Sequence, residues 1–302
     1  MTDAAGPGAG AGAPPFDLQA HSTHSDGALP AGEVVRLAAA AGVELFALTD
    51  HDTVSGVDEA LAEAAACGVA LVPAVEISAV RGTHEDLHVL GYGIDHREAG
   101  LVAALEASRA DRERRAAGMA ERLQTEFGYE VDDAPLEARR RAGRPVGRPH
   151  LAAAVVGHPA NRDRLAREGL SDATDFLVAY LIPGRPAFLP RTTPTVPEAI
   201  ELIHGAGGVA VWAHPFWDYD DPDAALESLR DFAAAGLDGV EAFYVAHTEP
   251  QTRLLVDAAR DLGLFTTGSA DFHGPEHKRF SRFRAFELHG LEPSLPPFAA
   301  GA

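Results

Sequence analysis

The stretch Asp17-Leu18-Gln19-Ala20-His21-Ser22-Thr23-His24-Ser25-Asp26-Gly27 brings two histidines and two aspartates into one short polar segment. A short apolar run beginning at Phe16 leads into it and a glycine closes it, as expected where a strand ends in a metal-binding loop. Several later strand ends show the same pattern. This repetition predicts one functional site built from the ends of several strands.

Length and charge limit the classes of protein to which the chain can belong. Its 302 residues are enough for two domains or for one barrel-sized domain. A formal net charge of −20 argues against a protein that coats nucleic acid or an anionic membrane, because both need a basic surface. Small phosphate esters stay compatible with this charge, since bound metal ions can supply positive charge locally.

Cysteine content and the two termini give further expectations. Cys67 is the only cysteine, so neither an internal disulfide nor a disulfide-linked partner is expected. Without a signal peptide or a long apolar span, the sequence predicts a soluble cytoplasmic protein that makes no membrane contact. Residues 1–15 are rich in Ala, Gly and Pro and are predicted to form a disordered tail, and residues 291–302 a C-terminal tail.

Strand-like and helix-like segments alternate along most of the chain, which is typical of βα units around a parallel sheet or barrel. Residues 283–288 are a candidate for an eighth and last strand. The seven stronger strand predictions are 16–20, 44–48, 69–75, 86–92, 208–213, 237–244 and 264–269. The helix predictions between them are 31–41, 57–67, 196–205, 223–235 and 251–262. The predicted fold class is therefore α/β.

Residues 96–184 interrupt this alternation, because they contain no convincing strand and include a long arginine-rich helical run. We interpret them as a helical insertion that separates barrel segments 16–95 and 185–290. From Arg109 to Arg148 there are 10 basic and 8 acidic residues, a balance of +2 within an acidic protein. Such asymmetry indicates either a surface that holds an anion or an exposed helix with paired charges.

Imidazole and carboxylate side chains lie just after these strands or late within them. In α/β barrels the carboxyl ends of parallel strands share one face, so residues far apart in sequence can meet there. A set of His, Asp and Glu without cysteine suits Zn, Mn or Fe in a hydrolytic cluster better than a structural zinc site. A single histidine is more often a surface or hydrogen-bonded core residue, so the prediction depends on the whole set.

The order of these motifs resembles the PHP (polymerase and histidinol phosphatase) family. The resemblance covers about residues 16–290, and the similarity is greatest to stand-alone phosphoesterases that carry a helical insertion. It implies a distorted seven-stranded (β/α) barrel of the PHP type that holds two or three divalent metal ions (Mn, Fe or Zn). The motifs that carry it are residues 17–27, Thr49-Asp50-His51-Asp52-Thr53, Glu76, His88-Val89-Leu90-Gly91-Tyr92, Ala213-His214-Pro215 and Ser269-Ala270-Asp271-Phe272-His273-Gly274.

The resemblance also implies a set of metal ligands. The family pattern normally begins His-x-His, but here Gln19 stands at the first position. Its neutral carbonyl oxygen is a poorer ligand for Zn or Mn, so the ion at that position is expected to be weakly held, absent or differently coordinated. Asp17 and Asp50 are interpreted as groups that orient the histidines. The implied ligands are His21, Asp26, His51, Glu76, His88, His214, Asp271 and His273.

The function implied is hydrolysis of a phosphomonoester of a nucleotide-like or other small phosphorylated metabolite by metal-activated hydroxide. Arg191 is predicted to be catalytic and, with Arg148, to hold phosphate oxygens, because a guanidinium matches that geometry. For both, an ion pair between the insertion and the barrel is the alternative. His150 either joins them or caps a helix, and no residue stands out as the general acid.

Two other functions stay open from the sequence. One is phosphodiester hydrolysis, on a cyclic phosphate or as a 5′-3′ exoribonuclease on short RNA, which the mildly basic insertion favours slightly. The other is a catalytically silent, metal-binding regulatory domain, which only Gln19 suggests. Retention of the other eight ligand candidates argues against a silent domain, since a decayed site has no need of them.

Overall fold

Seven strands form one sheet whose spatial order follows their order in the chain. We describe it from a computed structural model that covers residues 14–82, 84–191 and 194–300. A parallel bridge between Ala20 and Phe272 and a hydrogen bond from Leu18 N to Gly268 O (3.2 Å) nearly close the sheet into a barrel. The strands are β1 (Phe16–Asp17), β2 (Leu45–Leu48), β3 (Ala70–Arg81), β4 (His84–Tyr92), β5 (Val209–Trp212), β6 (Gly239–Tyr244) and β7 (Phe265–Ser269).

Helices surround this barrel on its outer side. The helix Glu249–Leu262 shows why such segments are helical: Thr248 and Gln251 form a capping box at its start, and Gly263 ends it in the left-handed conformation. The helices are α1 (Ala31–Ala40), α2 (Val57–Cys67), α3 (Ala99–Thr125), α4 (Asp133–Arg141), α5 (Arg148–Val156), α6 (Arg162–Glu168), α7 (Ala173–Tyr180), α8 (Val196–Gly205), α9 (Pro215–Asp218), α10 (Pro222–Ala234) and α11 (Glu249–Leu262).

The strands are not all parallel, which differs from the expectation of simple βα units. Strand β4 pairs antiparallel with both β3 and β5, whereas the other neighbouring pairs are parallel. The reason is the short connection from β3 to β4 around Gly82, which has no room for the crossover that a parallel neighbour needs. The α/β barrel is thus confirmed, with one reversed strand that makes it a distorted one.

Helices α3 to α7 build a hydrophobic core of their own, centred on Leu123, Tyr129 and Phe176. The main barrel core is a separate cluster that includes Trp212, Tyr92 and Phe243. Residues 96–184 contain no strand. The helices of this segment lie beside the barrel, and the cleft between the two parts holds the candidate site described below.

The sequence predicts a tail at each end of the chain. The predicted disordered tail over residues 1–15 falls outside the described residues except for Pro14 and Pro15. At the other end, Ser294 exchanges hydrogen bonds with Thr266 and the Phe298 ring lies 5.5 Å from that of Tyr92, so this segment packs on the barrel. None of the described helices is both long and apolar enough to span a membrane.

The prediction of an eighth strand at residues 283–288 is wrong. This segment contains turns, with Arg284 in the left-handed conformation at φ 57°. Its apolar side chains still pack inward, since Phe283 stacks on Phe272 and Phe286 lies against Phe16. Inward-facing aromatic residues in a loop therefore gave the same apolar pattern as a strand.

Candidate metal centre

All eight predicted ligands lie at one end of the barrel. Most are on the loops that leave the strands, such as His21 after β1 and His214 after β5. His88 lies within β4, as the sequence predicts, and Glu76 lies within β3, because β3 extends past its predicted end at residue 75. A parallel bridge between His51 and Glu76 connects the loop after β2 to β3. The barrel end thereby brings together residues that are up to about 250 positions apart.

One group of potential ligands surrounds Glu76, and we call it the Glu76 set. Glu76 Oε1 lies 2.8 Å from His88 Nδ1 and 3.2 Å from His214 Nε2. The two imidazole nitrogens are 3.3 Å apart. His51 Nδ1 is 3.4 Å from the other Glu76 oxygen, Oε2. Three imidazoles thus face one fully buried carboxylate.

A second group, the Asp26 set, surrounds the more exposed carboxylate of Asp26. His273 Nε2 lies 3.5 Å from Asp26 Oδ1, and His21 Nδ1 lies 3.7 Å from the same oxygen. His51 Nε2 is 3.7 Å from Asp26 Oδ2. The His21 ring stacks on both other rings, with centroids 4.5 Å from His51 and 4.3 Å from His273. His51 therefore lies between the two sets, with one nitrogen toward each.

A third place lies between the other nitrogen of His21 and two carboxylates. His21 Nε2 is 3.0 Å from Asp271 Oδ1 and 3.1 Å from Glu76 Oε2. Gln19 points into the same place, because its Nε2 donates a hydrogen bond to Glu76 Oε2 at 3.0 Å. We call it the Gln19 position. The structure thus brings all eight predicted ligands and the variant residue Gln19 into one continuous cluster.

Backbone shape at the site depends on a few unusual conformations. His214 and Asp271 have left-handed backbones, with φ values of 30° and 53°. Such conformations cost energy in non-glycine residues and persist where the surrounding structure fixes them, often at functional sites. Gly27 is required for a different reason: a Cβ there would lie 2.2 Å from His21 O, so only glycine lets the first loop fold back on His21.

Asp17 and Asp50 hold the loops, and neither hydrogen-bonds an imidazole directly as the sequence suggested. Asp50 accepts hydrogen bonds from the hydroxyls of Ser22 and Ser25, both at 2.6 Å. Asp17 accepts from the backbone N–H groups of Ala270 (3.0 Å) and Arg284 (2.8 Å). Burial raises the pKa of Asp17 to about 7. The two aspartates therefore position the ligand loops through serines and backbone.

The histidines of the cluster differ in pKa, because burial and the neighbouring carboxylates act on them to different extents. Burial lowers the pKa of His51 to about 4, so its imidazole is neutral at pH 7 and can offer a lone pair. Burial also acts on His214, but Glu76 overcomes it and raises the pKa of His214 to about 9. Burial alone would raise the pKa of Glu76, yet His51 and the other histidines hold this pKa well below the usual range. A cation bound here would have to displace protons from such histidines.

The donor atoms fit a divalent ion. Within residues 14–82, 84–191 and 194–300, His21 Nε2, His51 Nδ1 and Asp271 Oδ1 are buried and have no hydrogen-bond partner. Their contacts with neighbouring predicted ligands are short but are not aligned as hydrogen bonds. Buried polar atoms without partners are rare and call for an explanation. Imidazole and carboxylate donors suit Zn, Mn and Fe.

A cleft of about 620 Å³ opens from the cluster toward the insertion. Asp26, His51 and His88 form part of one wall. The wall formed by the helical segment carries arginines, which places positive charge in the same cleft as the predicted ligands. These arginines are Arg112, Arg115, Arg139 and Arg148, and Arg191 also lines the cleft.

The three residues predicted to hold phosphate all line this cleft but differ in their contacts. Arg191 is buried: its Nη1 donates to Ser78 O at 2.8 Å, and its Nη2 lies 3.7 Å from Asp52 Oδ2. Arg148 stacks over the Phe188 ring with its Cζ 5.8 Å from the centroid. His150 Nδ1 accepts a hydrogen bond from Gly147 N–H (3.0 Å), which caps α5.

Sequence reasoning missed two residues of this cleft. Arg112, on α3, pairs with Asp52 next to the predicted ligand His51, but its spacing in an arginine-rich helix gave no sign of that. Trp217, on α9, lines the cleft with 53% of its surface exposed. Its position three residues after His214 was the available signal, since that loop was already assigned to the site.

Comparisons with known proteins agree with this geometry. A family model described as the PHP domain matches residues 17–140. The 5′-3′ exoribonuclease of Haemophilus influenzae is 33% identical over 260 residues, which cover 86% of this chain and 90% of that protein. The 3′,5′-nucleoside bisphosphate phosphatase of Chromobacterium violaceum is 36% identical over 263 residues, covering 86% of this chain and 87% of that protein.

Solved structures show the same similarity. A protein from Bifidobacterium adolescentis, assigned as a metal-dependent phosphoesterase, superposes with a TM-score of 0.70 and 26% sequence identity. The superposition covers 95% of this chain and 94% of that one. The likeness therefore includes the helical segment as well as the barrel.

Proposed function

Because the chain belongs to the PHP family of metal-dependent phosphoester hydrolases, we propose that it hydrolyses the phosphomonoester of a nucleotide or a similar small phosphorylated metabolite. The observation that carries this proposal is the cleft of about 620 Å³ between the ligand cluster and the arginine-lined wall. Pockets of this size typically enclose a small ligand. An anion in the cleft would lie between the cluster and the guanidinium groups.

The proposed metal ligands are the eight residues of the cluster. Two or three divalent ions of Mn, Fe or Zn held there would act as Lewis acids on the phosphate and would activate a water molecule. The protein itself supplies the neutral imidazole of His51 and the ionised carboxylates of Glu76 and Asp271, whose pKa values lie below their usual range despite burial. These charges favour retention of cations over protons.

The arginines of the cleft are proposed to orient the substrate. Arg191 is a buried lining residue of the cleft, and its guanidinium donates a hydrogen bond to the carbonyl of Ser78, which holds it in place. A guanidinium fixed in this way loses little conformational entropy when it binds a phosphate oxygen. Arg148 lies on the wall formed by the helical segment and is proposed to bind a second, remote anionic group.

Trp217 supports a nucleotide over a simple sugar phosphate. Its ring is exposed at the cleft, with Phe280 at 5.7 Å and the Arg279 guanidinium over it at 5.6 Å. Exposed aromatic rings next to cationic groups are typical platforms for stacking nucleobases. A base stacked on Trp217 would place its ribose phosphate toward the ligand cluster.

A second candidate is 5′-3′ exonuclease activity on short RNA. A groove of about 610 Å³ adjoins the cleft, since Pro145 lines both. Arg109, Arg140 and Arg144 line the groove with a single acidic residue, Glu113. Basic grooves of this kind follow the backbone of single-stranded nucleic acid. The relatives include a phosphatase and an exoribonuclease, whereas the silent metal-binding alternative has no support among them.

The proposal is tested by incubating purified protein and Mn²⁺, Fe²⁺ or Zn²⁺ with each of three substrates and by measuring both orthophosphate and the nucleotide products. The substrates are a nucleoside 3′,5′-bisphosphate, a cyclic nucleotide and a 5′-phosphorylated oligoribonucleotide. We expect the bisphosphate to react fastest. Protein that contains metal but hydrolyses none of them would refute the proposal. A cytoplasmic location is part of the proposal and is suggested by the low cysteine content.

A further inference from the structure

The Gln19 position differs from the other two ligand sets in the kind of atom it presents. In the Glu76 and Asp26 sets, imidazole nitrogens surround a carboxylate. At the Gln19 position, the group next to His21 Nε2 and Glu76 Oε2 is an amide NH₂, which donates hydrogen bonds and offers no lone pair to a metal. Gln19 is fully buried, so this contact is not shared with water.

Neighbouring groups fix the orientation of the Gln19 amide. Glu76 accepts its N–H at 3.0 Å, and an ionised carboxylate can only accept hydrogen bonds. The amide oxygen faces the Ser269 hydroxyl at 3.2 Å. Turning the amide over would set its carbonyl oxygen against the Glu76 carboxylate, with two acceptors in contact and no proton between them. The carbonyl of Gln19 is therefore held away from the cluster.

Two further features weaken the Gln19 position as an ion site. Tyr244 donates a hydrogen bond to Asp271 Oδ2 at 2.8 Å, so one oxygen of that carboxylate is already engaged. The imidazole of His21 faces the Asp26 set with Nδ1 and the Gln19 position with Nε2, but a neutral imidazole has only one lone pair. An ion in the Asp26 set that takes His21 Nδ1 leaves a proton on Nε2. Because Asp271 Oδ1 lies 3.0 Å and Glu76 Oε2 3.1 Å from Nε2, this proton can satisfy the otherwise unpartnered atoms without an ion.

We infer that this chain binds two divalent ions, in the Glu76 and Asp26 sets, and that hydrogen bonds from Gln19 replace an ion at the third position. Charge supports this number. The three carboxylates of the cluster, Asp26, Glu76 and Asp271, carry three negative charges, which balance two divalent ions more nearly than three. This inference rests on the proposed metal site and concerns only the number of ions and the residue that sets it.

The test is metal analysis of Mn²⁺-loaded protein after removal of excess metal, for the wild type and for Gln19→His. We expect two ions per chain in the wild type and three in Gln19→His, because the imidazole gives the third position a lone pair. Three ions in the wild type, or one, would overturn the inference. An unchanged count of two in Gln19→His would overturn the role assigned to Gln19.

A second measurement keeps the inference testable if Gln19→His does not fold. Anomalous scattering from crystals of the Mn²⁺-loaded wild type locates each ion. Peaks in the Glu76 and Asp26 sets alone agree with the inference, and a peak bonded to Gln19 Oε1 contradicts it. Protein without any bound metal would refute the metal site itself, which separates this failure from an incorrect count.

Discussion

Arg112 of helix α3 donates a hydrogen bond to Asp52, the residue that follows the proposed ligand His51. Asp52 is fully buried and also accepts hydrogen bonds from Ser78, through N–H at 2.9 Å and the hydroxyl at 3.1 Å. It has a left-handed backbone with φ 51°. One charged pair thus joins the helical segment to the loop that carries His51.

Arg112→Ala should destabilise the protein by about 2 to 3 kcal/mol, because removing one partner leaves a buried carboxylate poorly paired. Arg114→Ala is the matched control, since Arg114 is 73% exposed and pairs with Asp111 on the same helix. The control should cost less than about 0.5 kcal/mol. Urea unfolding measures both, and equal effects would contradict the structural role of the Arg112 pair.

The same pair predicts a pH dependence. Burial would raise the pKa of Asp52, but Arg112 and Arg191 bring it below its usual value. A group whose folded pKa is lowered stabilises the protein above its unfolded pKa, about 3.9 for Asp, and loses this effect as pH falls further. The stability difference between the wild type and Arg112→Ala should therefore shrink below about pH 3.9. A difference that grows in acid would contradict this assignment.

Arg191→Ala should lower kcat/KM by about 100-fold, the usual cost of removing one group that stabilises developing charge. Arg191→Lys should recover only part of the loss, because an ammonium keeps the charge but not the forked geometry. The exposed Arg167 provides the control variant Arg167→Ala. Metal content and urea midpoint are measured alongside, and full activity in Arg191→Ala with metal retained would exclude the proposed role.

Trp217→Ala should raise KM for a nucleotide about 10-fold, since stacking of a base on an aromatic ring contributes about 1–3 kcal/mol. KM for a phosphomonoester without an aromatic group should stay unchanged. Trp217→Phe keeps a stacking surface and should stay close to the wild type. Equal losses for the two substrates in Trp217→Ala would show that the ring supports the loop and does not bind a base.

The double variant Arg109→Ala/Arg144→Ala tests whether the basic groove binds RNA. Within the described part of the chain neither arginine has an ion-pair partner, so both can contact an added phosphate backbone. The double variant should raise KM for a 5′-phosphorylated oligoribonucleotide and reduce its salt dependence by about one unit of slope per residue. The mononucleotide should be unaffected. If both substrates respond alike, the groove does not carry RNA.

The barrel and the positions of its ligands follow from local sequence patterns. The seven strands lie where alternating apolar segments predicted them, and helix α2 spans the predicted residues 57–67. The set of eight predicted ligands came from the family resemblance. Each of them follows a strand or lies within one, and parallel strands end on one face. Glu76 lies in the cluster even though β3 extends beyond its predicted end at residue 75.

Long-range contacts could not be predicted from the sequence. The reversed strand β4 depends on the tight connection around Gly82 between two apolar segments. The pairing of Arg112 with Asp52 depends on where the helical segment packs, and nothing local to either residue indicates it. The orientation of Gln19 depends on Glu76 and Ser269, which are 57 and 250 residues away.

The most direct test of the central claim is phosphate release from a nucleoside 3′,5′-bisphosphate by metal-free protein titrated with Mn²⁺, with bound Mn²⁺ measured in the same samples. Activity should be absent without metal and should rise in proportion to the ions bound. His51→Ala should bind fewer ions and lose activity, because His51 lies between both ligand sets. Turnover by the metal-free protein, or full activity in His51→Ala, would contradict a phosphoesterase that works through this cluster.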